Sequence, residues 1–440
     1  MFSDSYKVTP AKQIAPFTVT VPGSKSITNR ALLLAALSDG ECVLENALFS
    51  SDSRALLAAL KELGVPCSAD EGAKRICVTG CGGVLPNPSA TVTAESAGTA
   101  ARFLTALLAF CDGTYTLEAS EQMKKRPMAP LIEALTSAGI SVTSLENEGH
   151  LPLLIRGGQK HLTGTPAFSV SIDQSTQFLS ALMMTGVLLP DGLTVTARGS
   201  RTAMSYVHIT ERMMTDFGIP PEPSASGESD ICYRIPGGTP YRHRTYPIEP
   251  DLSGACYFYA AAALLGTSVT VTGVHKDSIQ GDLRFLLILE QLGCTVTDTP
   301  DGICVTGPSD RHYPGLDVTM SDSSDQTMTM AVLALFADSP THIRGVAHIR
   351  SQECDRMAAT IAEITRLGGS AKEDEDGTGL VITPAPLHGA RIETYQDHRM
   401  AMAFSLAGLR TEGVVIENPA CCKKTFENYF ELFTGCFQQP

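Results

Sequence analysis

Residues 60–64 read L-K-E-L-G. The same pattern, a helix-like run closed by glycine, returns as L-T-S-A-G at 135–139, M-T-D-F-G at 214–218, L-E-Q-L-G at 289–293, I-T-R-L-G at 364–368 and E-L-F-T-G at 431–435. The glycines, Gly64, Gly139, Gly218, Gly293, Gly368 and Gly435, are separated by 75, 79, 75, 75 and 67 residues. A glycine just past a helix supplies the left-handed cap that other residues adopt only at a cost. Five of the six precede β-rich stretches: R-I-C-V-T-G, L-P-L-L-I-R-G, I-C-Y-R-I-P-G, G-I-C-V-T-G and G-L-V-I-T.

A second marker interleaves with the first. Polar or Gly/Ser-rich starts lead into apolar helix-like runs at Ser26, Gly98, Gln177, Gly254, Gln326 and Arg399, spaced 72, 79, 77, 72 and 73 residues apart. Two independent markers therefore share one period, and each unit holds two helices and several short strands, a longer repeat than that of the usual solenoid. Six units in 440 residues divide into two domains of three. The stretch P-Y-R-H-R-T-Y-P-I-E-P at 240–250 reads as a crossing between them. The expected division is residues 1–23 plus 245–440 for one domain and 24–244 for the other. The strand expected at Phe17–Val21 precedes the first full unit and is expected to pair with the last, truncated one.

Composition narrows the function. Hydrophobic residues at 43% and charged residues at 18% describe a globular chain. There is no apolar run of membrane-spanning length and no signal-peptide core near the N-terminus, so a cytoplasmic protein is expected. The 13 cysteines lack zinc-ribbon spacing and read as reduced thiols, with no metal site. A net charge of −14 argues against a nucleic-acid partner, and any anionic ligand needs cations concentrated locally against that field.

Such cations gather at helix starts. In V-P-G-S-K-S-I-T-N-R, at 21–30, no glycine stands five residues before Lys25, so the stretch is not a Walker A loop. Helix N-termini carry unpaired N–H groups and attract anions. Ser24, Thr28 and Asp325 suit capping, but Lys25, Arg30, Arg102 and Arg399 oppose the helix dipole unless an anion lies nearby. Counting back 11 to 13 positions from the glycines of the first series gives Asp52, Arg126, Tyr206, Asp282, Arg356 and Lys424, a recurring and partly cationic rim. Pro127 suits the first position of a helix after Arg126. Asp325 either caps its helix or accepts a proton. Glu353, three before Arg356, either pairs with it or serves in catalysis. His398 is either held by Asp397 or an accessory cap.

In combination, S-K-S-I-T-N-R, S-A-G-T-A-A-R, K-K-R-P, S-T-Q-F, S-D-Q-T-M, Q-E-C-D-R, Q-D-H-R-M-A-M-A and K-K-T-F-E-N-Y-F resemble the enolpyruvyl transferases, from about residue 17 to 433. Within that family they are most similar to the branch whose acceptor is shikimate 3-phosphate. The resemblance implies an α/β fold, a two-domain inside-out α/β barrel of six βαβαββ repeats, three per domain, with the active site in the interdomain cleft. It implies transfer of the enolpyruvyl group of phosphoenolpyruvate to the 5-hydroxyl of shikimate 3-phosphate with release of phosphate. No cofactor is expected, and the partners are these two small molecules alone, with no nucleic acid or membrane and the chain a monomer. Lys25, Ser26, Arg30, Ser175, Thr176, Gln177, Asp325, His348 and Gln352 fall at acceptor-binding positions. Lys25, Gly98, Arg126, Gln177, Arg356, Arg399 and Lys424 fall at phosphoenolpyruvate-binding positions. Asp325, Glu353, Lys25 and Lys424 carry the implied catalytic roles.

The chain departs from the family on the acceptor side. Ser96 stands for a frequent asparagine, Phe103 for proline, Gln352 for lysine and His348 for asparagine. In R-T-A-M-S-Y the aligned residue is Ala203, with Ser200 and Ser205 as nearby substitutes. Two alternatives follow: an enolpyruvyl transferase with another acceptor, such as a diverged cyclic alcohol or a UDP-sugar, and an anion-binding relative without turnover. The UDP-sugar branch has K-N in place of Lys25-Ser26 and a loop cysteine that A-S-E-Q-M-K-K-R-P lacks.

Overall fold

The computed structural model describes residues 4–11, 15–158, 162, 164–199, 203–226 and 230–438. The chain divides into two compact units: Met1–Pro22 with Glu249–Pro440, and Gly23–Ile248. This differs from the expected division at both crossings. The strand Thr245–Pro247 lies in the second unit because it pairs in parallel with Glu41–Glu45. Gly23 lies there too, so close to Asn46 that an added Cβ would sit 2.0 Å from the Asn46 carbonyl oxygen.

Each complete repeat runs strand, helix, strand, helix, and then an antiparallel hairpin. The repeat over residues 89–157 is an example: strands Ser89–Thr93 and Gly113–Glu118 flank the helix Gly98–Phe110 and pair in parallel. The helix Ala129–Ser137 then leads into Ser141–Ser144 and Leu153–Gly157, which close the four-stranded sheet. The five glycines Gly64, Gly139, Gly218, Gly293 and Gly368 have φ between 85° and 91°, the left-handed conformation that turns the second helix into the hairpin. Gly435 differs. It lies inside the helix Tyr429–Phe437, because the last repeat has no hairpin and nothing requires a turn there.

The first helix of each repeat is buried all round. Leu252–Leu265, Thr327–Ala334 and His398–Ala407 form the centre of one unit. Lys25–Ala36, Gly98–Phe110 and Gln177–Thr185 do the same in the other. Runs such as C-Y-F-Y-A-A-A-A have no polar stripe and suit such a position. The second helices are amphipathic. Arg356–Arg366 buries Arg356, Met357, Ala359, Thr360, Glu363 and Ile364, a single face. The sheets lie outside the central helices, the reverse of an ordinary α/β barrel.

The expected pairing of the N-terminal strand is corrected. Phe17–Val19 pairs in parallel with Ser268–Thr272, in the first repeat of its unit. The truncated repeat already has its own parallel pair, Arg391–Ile392 with Val415–Glu417. Its remaining edge is taken by Ser5–Lys7, antiparallel to Val415–Glu417. The missing hairpin is replaced by aromatic packing: Phe426, Tyr429, Phe430, Phe433 and Phe437 are all buried, and Phe437 stacks on Phe258. The Tyr429 hydroxyl lies 3.0 Å from Ser405 Oγ, which satisfies the polar tip of a buried ring.

Candidate active site

The cationic helix starts gather in each unit. In the Gly23–Ile248 unit, Lys25 opens its helix and its Nζ lies 3.5 Å from Asp52 Oδ2, so the rim aspartate balances this lysine. Ser24 is the N-cap residue but makes no side-chain cap bond, and the hydroxyl of Thr28 instead accepts from Leu48 N at 3.1 Å.

Arg30 and Arg102 depart from the expected first-turn position. They sit one turn further in, at 2% exposure each. Arg30 Nε donates to Thr210 Oγ1 at 2.8 Å, Nη1 to the Ser26 carbonyl at 3.0 Å and Nη2 to the Tyr206 carbonyl at 3.0 Å. Its guanidinium lies 5.5 Å from the centre of the Phe103 ring. Burial lowers its pKa to about 10, so the group remains a cation at neutral pH. Arg102 donates to Gln177 Oε1 at 3.2 Å and to the Pro127 carbonyl at 3.3 Å, and lies over Phe178. The Gln177 amide in turn donates to Thr99 Oγ1 at 3.3 Å.

Gly98 is where two guanidiniums converge. An added Cβ would lie 2.5 Å from Arg102 Nη1 and 2.6 Å from Arg126 Nη1. Only a bare backbone lets both approach the helix N-terminus. The helix after Arg126 starts at Ala129 with Pro130 in its first turn, so Pro127 precedes it rather than opening it. Ser175 Oγ accepts from Gln177 N at 3.2 Å, and Thr176 Oγ1 donates to the Ala203 carbonyl at 3.4 Å. Ser96 and Ser120 share a hydroxyl contact of 2.8 Å. Ser205 opens the helix Ser205–Asp216, while Ser200, Arg201 and Thr202 lie outside the described residues.

The other unit holds a tighter ionic network, centred on Arg356. This residue is 1% exposed and opens its helix. Nε donates to Asp397 Oδ2 at 2.7 Å, Nη1 to Asp325 Oδ1 at 3.0 Å and Nη2 to Glu353 Oε2 at 2.9 Å. Nη1 also donates to Gln352 Oε1. Burial opposes the Arg356 charge, yet Asp397, Glu353 and Asp325 outweigh it and raise its pKa. Arg399 Nη2 donates to Asp325 Oδ2 at 2.7 Å, so Asp325 lies between two arginines. Lys424 Nζ is 4.0 Å from Glu353 Oε1.

Asp325 belongs to the short turn Ser324–Gln326, and the N-cap residue of the helix after it is Gln326. Beside it, His348 Nε2 lies 2.8 Å from Ser324 Oγ. Burial lowers the His348 pKa and Arg356 adds to this, against the opposite pull of Asp325. Asp397 has two tasks: it caps its helix through Arg399 N at 2.8 Å and it holds Arg356.

Sequence reasoning did not give Asp397 that second task, nor Asp52 its tie to Lys25. The signal for Asp52 was its place among the rim residues. For Asp397 none existed, because its partner is 41 residues away in sequence.

Two sets of cations with paired carboxylates suit ligands that carry phosphate and carboxylate groups. Arginine's planar fork binds two oxygens of either group at once. Asp325 lies between Arg356 and Arg399, and Glu353 lies between Arg356 and Lys424.

The family model for EPSP synthase (3-phosphoshikimate 1-carboxyvinyltransferase) matches residues 11–433. A 3-phosphoshikimate 1-carboxyvinyltransferase of Trichormus variabilis is 43% identical over 416 residues, covering 94% of this chain and 95% of the relative. One from Yersinia pestis is 41% identical over 428 residues, 96% of both chains. In fold, the chain is similar to an EPSP synthase structure from Acinetobacter baumannii, with a TM-score of 0.78 at 22% identity over 98% of each chain. The architecture is the two-domain inside-out α/β barrel.

Proposed function

The chain belongs to the EPSP synthase family, and from that premise we propose how its residues divide the family's reaction. The enolpyruvyl group of phosphoenolpyruvate passes to the 5-hydroxyl of shikimate 3-phosphate and inorganic phosphate leaves, a step of the shikimate pathway towards the aromatic amino acids. The observation that carries the assignment of roles is Asp325, held by Arg356 at 3.0 Å and Arg399 at 2.7 Å with Glu353 on the other branch of Arg356.

Asp325 takes the proton of the acceptor hydroxyl as its oxygen attacks C2 of phosphoenolpyruvate. A proton reaches the methylene carbon from the Glu353–Lys424 pair, giving a tetrahedral intermediate. The bond from C2 to the phosphate oxygen then breaks, the methyl group returns a proton, and the vinyl ether forms. Arg356, Arg399, Arg126 and Lys424 bind the phosphoenolpyruvate anion, and Lys25 serves both substrates. Gly98 admits the donor by having no side chain. Ser26, Ser175, Thr176, Gln177, His348 and Gln352 hold the acceptor. Arg30 acts on the acceptor through the Ser26 carbonyl that it fixes, since its donors already meet protein oxygens.

Charge-assisted hydrogen bonds contribute about 1.5–3 kcal/mol each, so a handful offset the desolvation of these anions. The chain is read as a cytoplasmic monomer. No helix among the described residues is long and apolar enough to cross a membrane.

The test is phosphate release from phosphoenolpyruvate, with and without shikimate 3-phosphate. Release only with the acceptor is expected, and silence from folded protein would remove the assignment. Asp325→Ala should retain phosphoenolpyruvate binding and lose turnover by at least about a hundredfold, in line with general-base catalysis. Turnover within a few-fold of the parent would remove Asp325 as the base.

A further inference from the structure

The stretch T-Y-Q-D-H-R at 394–399 leads into the central helix His398–Ala407 and carries two groups of the site, Asp397 and Arg399. It enters the helix through a tight turn, in which Asp397 N donates to the Thr394 carbonyl at 2.8 Å. The two residues inside the turn, Tyr395 and Gln396, have φ of 54° and 58°. Positive φ at both central positions marks a type I′ turn, which asparagine and glycine favour and a bulky side chain adopts only at a cost. The Thr394 hydroxyl adds a second cost, since it is buried without a hydrogen-bond partner. Such a conformation persists only where its surroundings hold it.

Glu363 supplies the hold. It lies two turns after Arg356 on the same buried face of Arg356–Arg366, and is itself fully buried. Its Oε1 accepts from the Tyr395 hydroxyl at 2.8 Å and its Oε2 from Glu393 N at 3.1 Å. Arg366 Nε, 3.1 Å from Oε2, balances the charge. Within the stretch, Glu393 Oε1 accepts from Tyr395 N at 3.1 Å, and Asn418 Nδ2 donates to Gln396 Oε1 at 2.9 Å. One helix thus grips this stretch at two points: Glu363 at the turn, and Arg356 at Asp397 with bonds of 2.7 and 3.3 Å. Two residues beyond Asp397, Arg399 reaches Asp325 at 2.7 Å. We infer that Glu363 and Tyr395 are positioning residues for the donor: their bond fixes the left-handed turn, and the turn sets where Asp397 meets Arg356 and where Arg399 starts. The inference rests on the reading that Arg356 and Arg399 bind phosphoenolpyruvate.

The test removes one oxygen. Tyr395→Phe keeps the ring and loses the bond to Glu363. With full-length protein, phosphate release is followed with phosphoenolpyruvate varied at saturating shikimate 3-phosphate. The KM for phosphoenolpyruvate should rise about threefold to tenfold, part of what a whole charge-assisted bond contributes. kcat should fall by no more than a few-fold, and the KM for the acceptor should stay at the parent value. Amide hydrogen exchange at Asp397, whose N–H closes the turn, should quicken by at least about threefold when read by NMR. Glycine takes positive φ without strain, so Gln396→Gly alone should match the parent in kinetics. The double variant Tyr395→Phe, Gln396→Gly should recover most of the lost affinity and protection, because its turn needs less holding. A lower melting temperature with KM and exchange at parent values leaves Tyr395 a stabilising role alone and overturns the inference. A double variant no better than Tyr395→Phe overturns it too. Should Tyr395→Phe not fold, Glu363→Gln weakens the same bond by making its acceptor neutral; the same shifts are expected, smaller, and parent values again overturn the inference. If the unmodified protein releases no phosphate, the functional assignment fails, while exchange at Asp397 still decides whether Tyr395 holds the turn.

Discussion

Replacing Gly98 by alanine isolates the donor side of the reaction. The new methyl would lie 2.5 Å from Arg102 Nη1, 2.6 Å from Arg126 Nη1 and 2.9 Å from Arg126 Cζ. Ordinary contacts between such atoms are near 3.5 Å, so the clash requires a retreat of roughly 1 Å. Arg102 is buried, bonded to Gln177 and Pro127, and stacked on Phe178, which makes it the harder group to move. Arg126 is half-buried, and it is the one that shifts. Losing one charge-assisted hydrogen bond from Arg126 to the substrate costs about 1.5–3 kcal/mol, which is about a ten- to hundredfold rise in the KM for phosphoenolpyruvate. The displaced guanidinium keeps its charge within the site, so kcat should change by only a few-fold and the KM for shikimate 3-phosphate should not change. Steady-state phosphate release, with phosphoenolpyruvate varied at saturating acceptor, measures all three. A KM for phosphoenolpyruvate within twofold of the parent would show that Arg126 does not serve the donor from this position. A rise confined to the acceptor KM would place the donor elsewhere.

Arg30→Met removes a buried cation that serves Thr210, Ser26 and Tyr206, and should cost about 3 kcal/mol or more of stability in urea unfolding, since these acceptors are left buried and unmet. A loss below 1 kcal/mol would show that water replaces the guanidinium freely. His348→Asn tests the buried imidazole. Because burial lowers the native pKa below the ordinary value of 6.5, the unfolded chain binds the proton first as pH falls. This contribution is therefore complete above that value and declines from about pH 6.5 towards the depressed native pKa. The asparagine variant should lose less stability than the parent between about pH 7.5 and 5.5, and equal losses in urea titrations would refute the assignment of that slope to His348.

Much of the architecture was legible because a glycine with φ near 90° marks each helix-to-hairpin turn in five repeats. Gly435 misled, since periodicity alone does not reveal that the last repeat ends without a hairpin. The destination of Phe17–Val19 was also hidden, because its partner Val269 is far away in sequence and a strand's edge preference has no local signature. In the site, the residue types and their helix-start positions were readable, and the network was not. Arg30 and Arg102 look alike as cations near helix starts, yet their burial turns them towards protein oxygens and aromatic rings. Likewise Asp397 reads as a cap, and only the tertiary approach of Arg356 gives it a second partner.

The exchange of strands at the two crossings has a consequence for synthesis on the ribosome. The unit Gly23–Ile248 is one unbroken stretch whose last strand closes its first sheet, so it is complete once Ile248 has emerged. The strand Phe17–Val19 is made earlier, yet Phe17 meets Val269 only 252 residues later. At about 5–20 residues per second that is a delay of roughly 13–50 s, during which an apolar edge has no native neighbour. Ser5 and its neighbours wait longer still, for Glu417. The unit that contains Phe17–Val19 is thus finished after the other, and that strand waits with its edge open to a chaperone or to a wrong partner.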